Sequence, residues 1–140
     1  MKFKRFNDVY MVRIDLGEEI MEALGSLCRS ENIRLAQVNA IGATDQAVIG
    51  VYDLKDQAYR EEKLTGFMEI TSLTGNITFV NDKPYIHLHA TVADQQHTIH
   101  GGHVINMRVG ATCEMFVRVL DGSVGRVRNE ELGINLWELE

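Results

Sequence analysis

The sequence predicts an α+β fold: one main helix packed on a mixed, mostly antiparallel β-sheet, in a two-layer sandwich. Three observations point there. A single stretch near the N-terminus carries helical hydrophobic spacing, and from residue 67 onward the pattern is almost entirely β. No run rich in proline, glycine or serine interrupts the 140 residues, so one domain over residues 1–140 is expected.

The elements follow in order. Residues 8–15, DVYMVRID, alternate as a strand does, with Val9, Met11 and Arg13 on one face. LGEEIMEALGSLCRSENI then reads as an amphipathic helix. Ile20, Met21, Leu24, Leu27 and Cys28 recur at helical spacing, and Glu18 and Glu19 open it, where acids complement the helix dipole. RLAQVNAIGA and QAVIGVYDL look like two strands separated by a Gly-Ala turn, and the polar KDQAYREEKL like a loop or exposed segment. FMEITSL and NITFV suggest a hairpin around Thr74-Gly75, and NDKP turns the chain into the strand YIHLHATV. After ADQQH come a short return segment, TIHGG, and then HVINM. ATCEMFVRVL is apolar on both faces and reads as a central strand, Asp121-Gly122 as a turn, and LGINLWELE as a closing strand.

Composition narrows the function. No stretch approaches the roughly 20 apolar residues that span a membrane, and the N-terminus lacks the apolar centre of a signal peptide. A cytoplasmic location is expected. Cys28 and Cys113 lie far apart and form no CxxC motif, which suggests two reduced, buried thiols. The formal net charge of −6 argues against a nucleic-acid binder, which needs a basic face to neutralise phosphates. The apolar ATCEMFVRVL and INLWELE offer more strand surface than one helix can cover, which favours self-association.

The sharpest signal is a histidine window. All five histidines of the chain, His87, His89, His97, His100 and His103, fall within PYIHLHATVADQQHTIHGGHV. Side chains two apart on a strand share a face, so His87 and His89 stand side by side. A two- or four-residue loop centred between Gln95 and Gln96 would pair Leu88 with His103 and place His103 on the wrong face. A three-residue loop over Gln95–His97 would set His103 opposite His89. A bulge at Gly101-Gly102 would do the same. His100 falls on the opposite face with the loop and on the same face with the bulge, so it stays a supporting or fourth group. His97 sits in the turn, solvated. Three neutral imidazoles suit zinc and leave a fourth position open for a ligand. The plainer reading is that these histidines pack and hydrogen-bond without a metal.

Two carboxylates stand out on apolar strands. Glu114 in ATCEMFV is a candidate to orient a ligating imidazole or to act as a general base, or simply to pair with Arg118. Glu69 in FMEITSL poses the same question.

The chain resembles the PPC domain, named for plants and prokaryotes, along nearly its whole length. GEEIMEALGSLCRSENI looks like the family's Gly-Glu-led helix, and NAIGATDQAVIGVYD like its Gly-Ile-Gly-Ala segment with Ala40 in place of the first glycine. FMEITSLTGNI looks like its Glu-Ile-Leu-Ser-Leu-x-Gly strand pair. HLHATVAD followed by GGHV is similar to its His-x-His and Gly-Gly-His motifs. The resemblance implies one helix on a mostly antiparallel sheet and assembly as a homotrimer. In prokaryotic single-domain members it implies a bound metal, usually zinc, which carries over to His87, His89 and His103. The plant proteins bind DNA through an AT-hook, whose Arg-Gly-Arg-Pro core this sequence does not contain. Cupins also use His-x-His, but their last histidine lies on a later, separate motif.

Three functions compete at this point. The first is metal-dependent ligand binding or catalysis at the three histidines. The second is a trimeric interaction module with a structural metal, and the third a DNA-associated regulator suggested by family association alone.

Overall fold

The computed structural model describes residues 1–139. Its elements run β1 (Lys2–Phe6), β2 (Val9–Asp15), α1 (Ile20–Glu31), β3 (Ala36–Asp53), β4 (Ala58–Val80), β5 (Lys83–Ala93), β6 (Ile99–Val119), β7 (Gly125–Asn129) and β8 (Ile134–Glu138). The architecture is a largely antiparallel sheet with one short helix. Six strands lie in the order β1-β2-β6-β3-β4-β5, and β5 also pairs with β6, so β6, β3, β4 and β5 close into a ring. Each pairing among the described residues is antiparallel, where a mixed sheet was expected.

In β2, Tyr10, Val12 and Ile14 are buried, and the face of Met11 and Arg13 is the outer one. Glu19 caps α1, its side chain accepting from the Glu22 amide, and Asn32 ends the helix in the left-handed region. Ile20, Leu24, Leu27 and Cys28 form its buried stripe, packed over β5 and β6. The core beneath includes Val38, Leu73, Ile77, Leu88, Met107, Cys113 and Val117.

Two expected turns are absent because the strands are longer than their local patterns suggest. β3 runs unbroken through Gly42-Ala43, with register shifts between Ala40 and Gly42 and between Thr44 and Gln46. β4 runs unbroken through Thr74-Gly75. At Gly75 the glycine answers to close approach instead of a turn: a Cβ there would stand 1.9 Å from the His87 carbonyl oxygen. The segment 55–64, read as a loop or exposed segment, is exposed as far as 63, but most of it is the outward end of β4, solvent-facing on both sides from 58 to 63 and therefore without a strand-like hydrophobic alternation.

LGINLWELE does not close the main sheet. Its core, β8, pairs with β7 in a separate two-stranded sheet; Glu140 lies outside the described residues. This hairpin lies on the main sheet and is fastened at both ends. At its turn, the Tyr52 hydroxyl donates to the carbonyls of Leu132 and Gly133, and Gln57 Nε2 donates to that of Glu131. At its open end, Arg126 binds β4, and the Phe79 amide donates to the Val124 carbonyl.

Candidate metal centre

β5 presents Tyr85, His87 and His89 on one face, by simple alternation. Across on β4 their partners are Thr78, Asn76 and Thr74. β6 returns with His89 opposite His103, Ala90 opposite Gly102 and Val92 opposite His100, with no register shift. Of the routes open in the sequence, the chain therefore takes the three-residue loop over Gln95–His97. Asp94 and Thr98 close it, the Asp94 amide donating to the Thr98 carbonyl, and His97 takes the positive φ of 61° that the last loop position requires. Asp94 Oδ1 fixes the loop by accepting from the amides of Gln96 and Thr98. Those bonds hold its carboxyl below the ordinary carboxylate range.

The bulge at Gly101-Gly102 does not occur. Gly102 serves packing: a Cβ there would lie 2.7 Å from the Gly50 carbonyl oxygen of β3. That contact sets β3, β6 and β5 side by side where His103 lies, paired with Gly50 on one flank and His89 on the other.

His87, His89 and His103 come together. Each offers a ring nitrogen, and these atoms lie within 4.8 Å of one another. Ring centroids are 5.1 to 5.5 Å apart. Three nitrogens around a tetrahedral zinc at 2.0–2.1 Å stand about 3.4 Å from each other, a spacing that modest side-chain rotations reach. His87 and His103 are half-buried and His89 is exposed, so the cluster opens to solvent on one side. Tyr59 stacks on His103 at 4.6 Å between ring centroids, and Tyr52 meets Tyr59 edge-on.

Two features suit these residues to a cation. His103 Nδ1 is buried and has no hydrogen-bond partner, a cost that coordination would remove. Burial, and then the neighbouring imidazoles His103 and His89, hold His87 down to about 4, and burial followed by His89 lowers His103. At neutral pH both rings are thus unprotonated, as ligands must be.

The other sequence candidates lie elsewhere. His100 is on the opposite face, where Nε2 lies 3.2 Å from Asp94 and Nδ1 3.7 Å from Glu62. Glu114 is not at the histidines. It lies eleven residues farther along β6 than His103, which at about 3.3 Å per strand residue is tens of ångströms away. There it is exposed, opposite Arg13 and Ile41, so it needs no buried partner. Glu69 is likewise exposed, opposite Ala43 and Ala93. Among the described residues no carboxylate forms an ion pair with any of the three clustered histidines, against the expectation of a carboxylate orienting one of them; the histidine that has acidic partners is His100.

Sequence reasoning missed two neighbours. Tyr59 lay in the segment read as a loop or exposed segment. Arg126 of β7 donates from Nε to Thr78 Oγ1, from one terminal nitrogen to the Asn135 carbonyl and from the other to Asn76 Oδ1, the partner across from His87. Its guanidinium also lies 4.3 Å from the Tyr85 ring. Only tertiary structure brings it there, since nothing in the RVLDGSVGRVR run marks one arginine from another.

Comparison with known proteins follows the same lines. A family model described as the Plants and Prokaryotes Conserved (PCC) domain matches residues 1–121. A metal-containing protein from Archaeoglobus fulgidus is 32% identical, with a TM-score of 0.89 and 99% of each chain covered. A suspected DNA-binding protein from Bacteroides thetaiotaomicron is 30% identical, with a TM-score of 0.95, covering 98% of this chain and 96% of its own. A plant- and prokaryote-conserved protein from Pyrococcus horikoshii is 26% identical, with a TM-score of 0.87, covering 98% of this chain and 93% of its own. No curated protein matches the chain.

Proposed function

The chain belongs to the Plants and Prokaryotes Conserved domain family, and from that premise we propose that it is a metal protein whose His87, His89 and His103 hold one divalent ion, zinc by ligand chemistry, for binding a small ligand. The observation that carries this reading is the convergence of one nitrogen from each of three imidazoles to within 4.8 Å of one another, with His103 Nδ1 buried and without a hydrogen-bond partner. The metal-containing relative from Archaeoglobus fulgidus supports it. Imidazole donors suit zinc, and three of them leave a coordination position for a ligand. A zinc ion supplies Lewis acidity toward a carbonyl or carboxylate oxygen. The protein's part is to keep two of the rings neutral, to wall His103 with Tyr59, and to leave the His89 side open.

Binding of zinc to the folded state alone stabilises it by mass action, about 2.7 kcal/mol at a hundredfold excess over Kd. Thermal unfolding of metal-free protein, with and without added zinc, tests this. The wild type should gain several degrees in Tm, and His103→Ala should gain none. Equal gains in both, or none in the wild type, would refute the site.

The same reading places one domain over residues 1–140 in the cytoplasm, where free, buried Cys28 and Cys113 are at home. It assembles as a homotrimer, supported by the outer sheet face, on which Met11 pairs with Phe116 and both are about half exposed, as is Ile41. A second reading, DNA association, has the suspected function of the Bacteroides relative behind it. The net charge of −6 opposes it.

A further inference from the structure

Arg126 is a cation without an acid. Arg13, Arg34, Arg60, Arg108 and Arg118 each form an ion pair with an aspartate, and Arg5, Arg29 and Arg128, which form none, are exposed to solvent. Among the described residues no carboxylate does so with Arg126, although it is half-buried and its partners are all neutral. A guanidinium has five N–H donors. Three are used on Thr78, Asn76 and the Asn135 carbonyl, so each terminal nitrogen keeps one free. Those three bonds fix the group on the sheet face of the histidines: Asn76 is the partner across from His87, and Tyr85, under the guanidinium, is two residues before His87 on the same strand face.

The charge of the whole site is then one-sided. The imidazoles contribute none when neutral, a divalent ion would add two positive charges, and Arg126 adds a third. Among the described residues no carboxylate forms an ion pair with Arg126 or with the three histidines. Partly buried uncompensated charge is costly, and an anion from outside would relieve that cost. A planar fork with two free N–H groups matches the two oxygens of a carboxylate. Phosphate sites add lysines, a glycine-rich turn or a helix N-terminus, whereas the groups against this guanidinium are the rings of Tyr85 and Trp137, and Lys83, on the same face of β5, is exposed at its far end.

We propose that Arg126 recognises the carboxylate of a small organic acid bound at the three-histidine centre. The inference rests on the metal reading above. It also gives the β7–β8 hairpin a purpose: it positions the arginine over the face that the β5–β6 hairpin builds. That hairpin lies beyond residues 1–121, the part shared with the family model. In this proposal the histidines hold the ion and Arg126 selects the ligand it takes.

Cobalt-loaded protein provides the test, because its visible spectrum reports ligands at the ion and metal stoichiometry is read separately. Glycolate, its neutral amide glycolamide, and inorganic phosphate are titrated into the wild type, Arg126→Gln and Arg126→Lys. Glycolate should bind the wild type more tightly than phosphate does. Arg126→Gln should weaken glycolate at least tenfold and leave glycolamide within a few-fold, with one cobalt per chain retained. Arg126→Lys should recover part of the loss, because it restores the charge without the fork. Trp137 fluorescence reports whether the hairpin stays docked; if Arg126→Gln releases it, the Arg126→Lys comparison of glycolate with glycolamide decides. Glycolate binding that is the same in all three proteins overturns the proposal, as does phosphate binding more tightly than glycolate, or equal loss of acid and amide in both variants. Failure to take up cobalt at all would instead sink the metal reading.

Discussion

At the scale of single residues, the site depends on three imidazoles that differ in burial. His89 is exposed and on the open side, so its loss should remove the ion without harming the fold. His89→Ala is expected to abolish stoichiometric zinc while changing the stability of the metal-free protein by no more than about 1 kcal/mol, checked by urea unfolding. His87 answers differently to acid. Its value of about 4 lies below the ordinary 6.5, chiefly through burial, and His103 shifts the same way. Between those values the unfolded chain binds more protons than the folded one, so stability is full above about pH 6.5 and declines as pH falls toward 4. The urea midpoint of metal-free protein should drop over that window, and His87→Gln should flatten the drop. A wild-type midpoint that stays level there would contradict the burial argument. The His87–His89 pair was legible because period-two alternation is a local property of a strand. Glu114 misled because an acid in an apolar run looks buried from sequence alone, although alternation puts it on the solvent face.

At the scale of elements, the third histidine depended on one hairpin loop, and here the sequence left two routes open. Both need a residue able to depart from strand geometry, and the sequence offers His97 for one and Gly101-Gly102 for the other. The chain uses His97 at positive φ, and Gly102 is kept small by the Gly50 carbonyl of β3, which a Cβ there would meet. Gly102→Ala should therefore strain the β3–β6 contact, costing about 1–3 kcal/mol as an overpacked site does, and weaken zinc uptake along with it. A Gly102→Ala protein with unchanged stability would show that β3 does not press on this point. The same physics hid the long strands. Glycines at 42 and 75 mark turns only if nothing crosses them closely, and closeness is set by partners far away in sequence. Helix α1 was legible almost to its ends, because its apolar stripe and its acidic N-terminus are local signals. The β7–β8 hairpin was half legible: β8 showed as a strand, but its partner β7 is short and polar, and what it docks on is not written locally.

At the scale of the molecule, the outer face carries exposed Met11, Ile41 and Phe116, and the proposed homotrimer is expected to cover it. Light scattering at micromolar concentration should give three times the mass of 15.8 kDa, and a monomer would contradict this. The same assembly, with its threefold negative charge, should bind random duplex DNA no more tightly than roughly 10⁻⁶ M at physiological salt, read by fluorescence anisotropy. Tighter, salt-sensitive binding would favour the DNA reading. These global properties were legible only as excess apolar surface and net charge; which strands close the ring, through β5 returning to β6, was not. The central claim, that the three histidines hold an ion, is met most directly by elemental analysis of protein purified without a histidine tag, beside His89→Ala prepared in the same way. One divalent ion, chiefly zinc, is expected per wild-type chain and a small fraction of that in the variant. Metal-free wild type that takes up no zinc when it is added, or equal metal content in the two proteins, would contradict it.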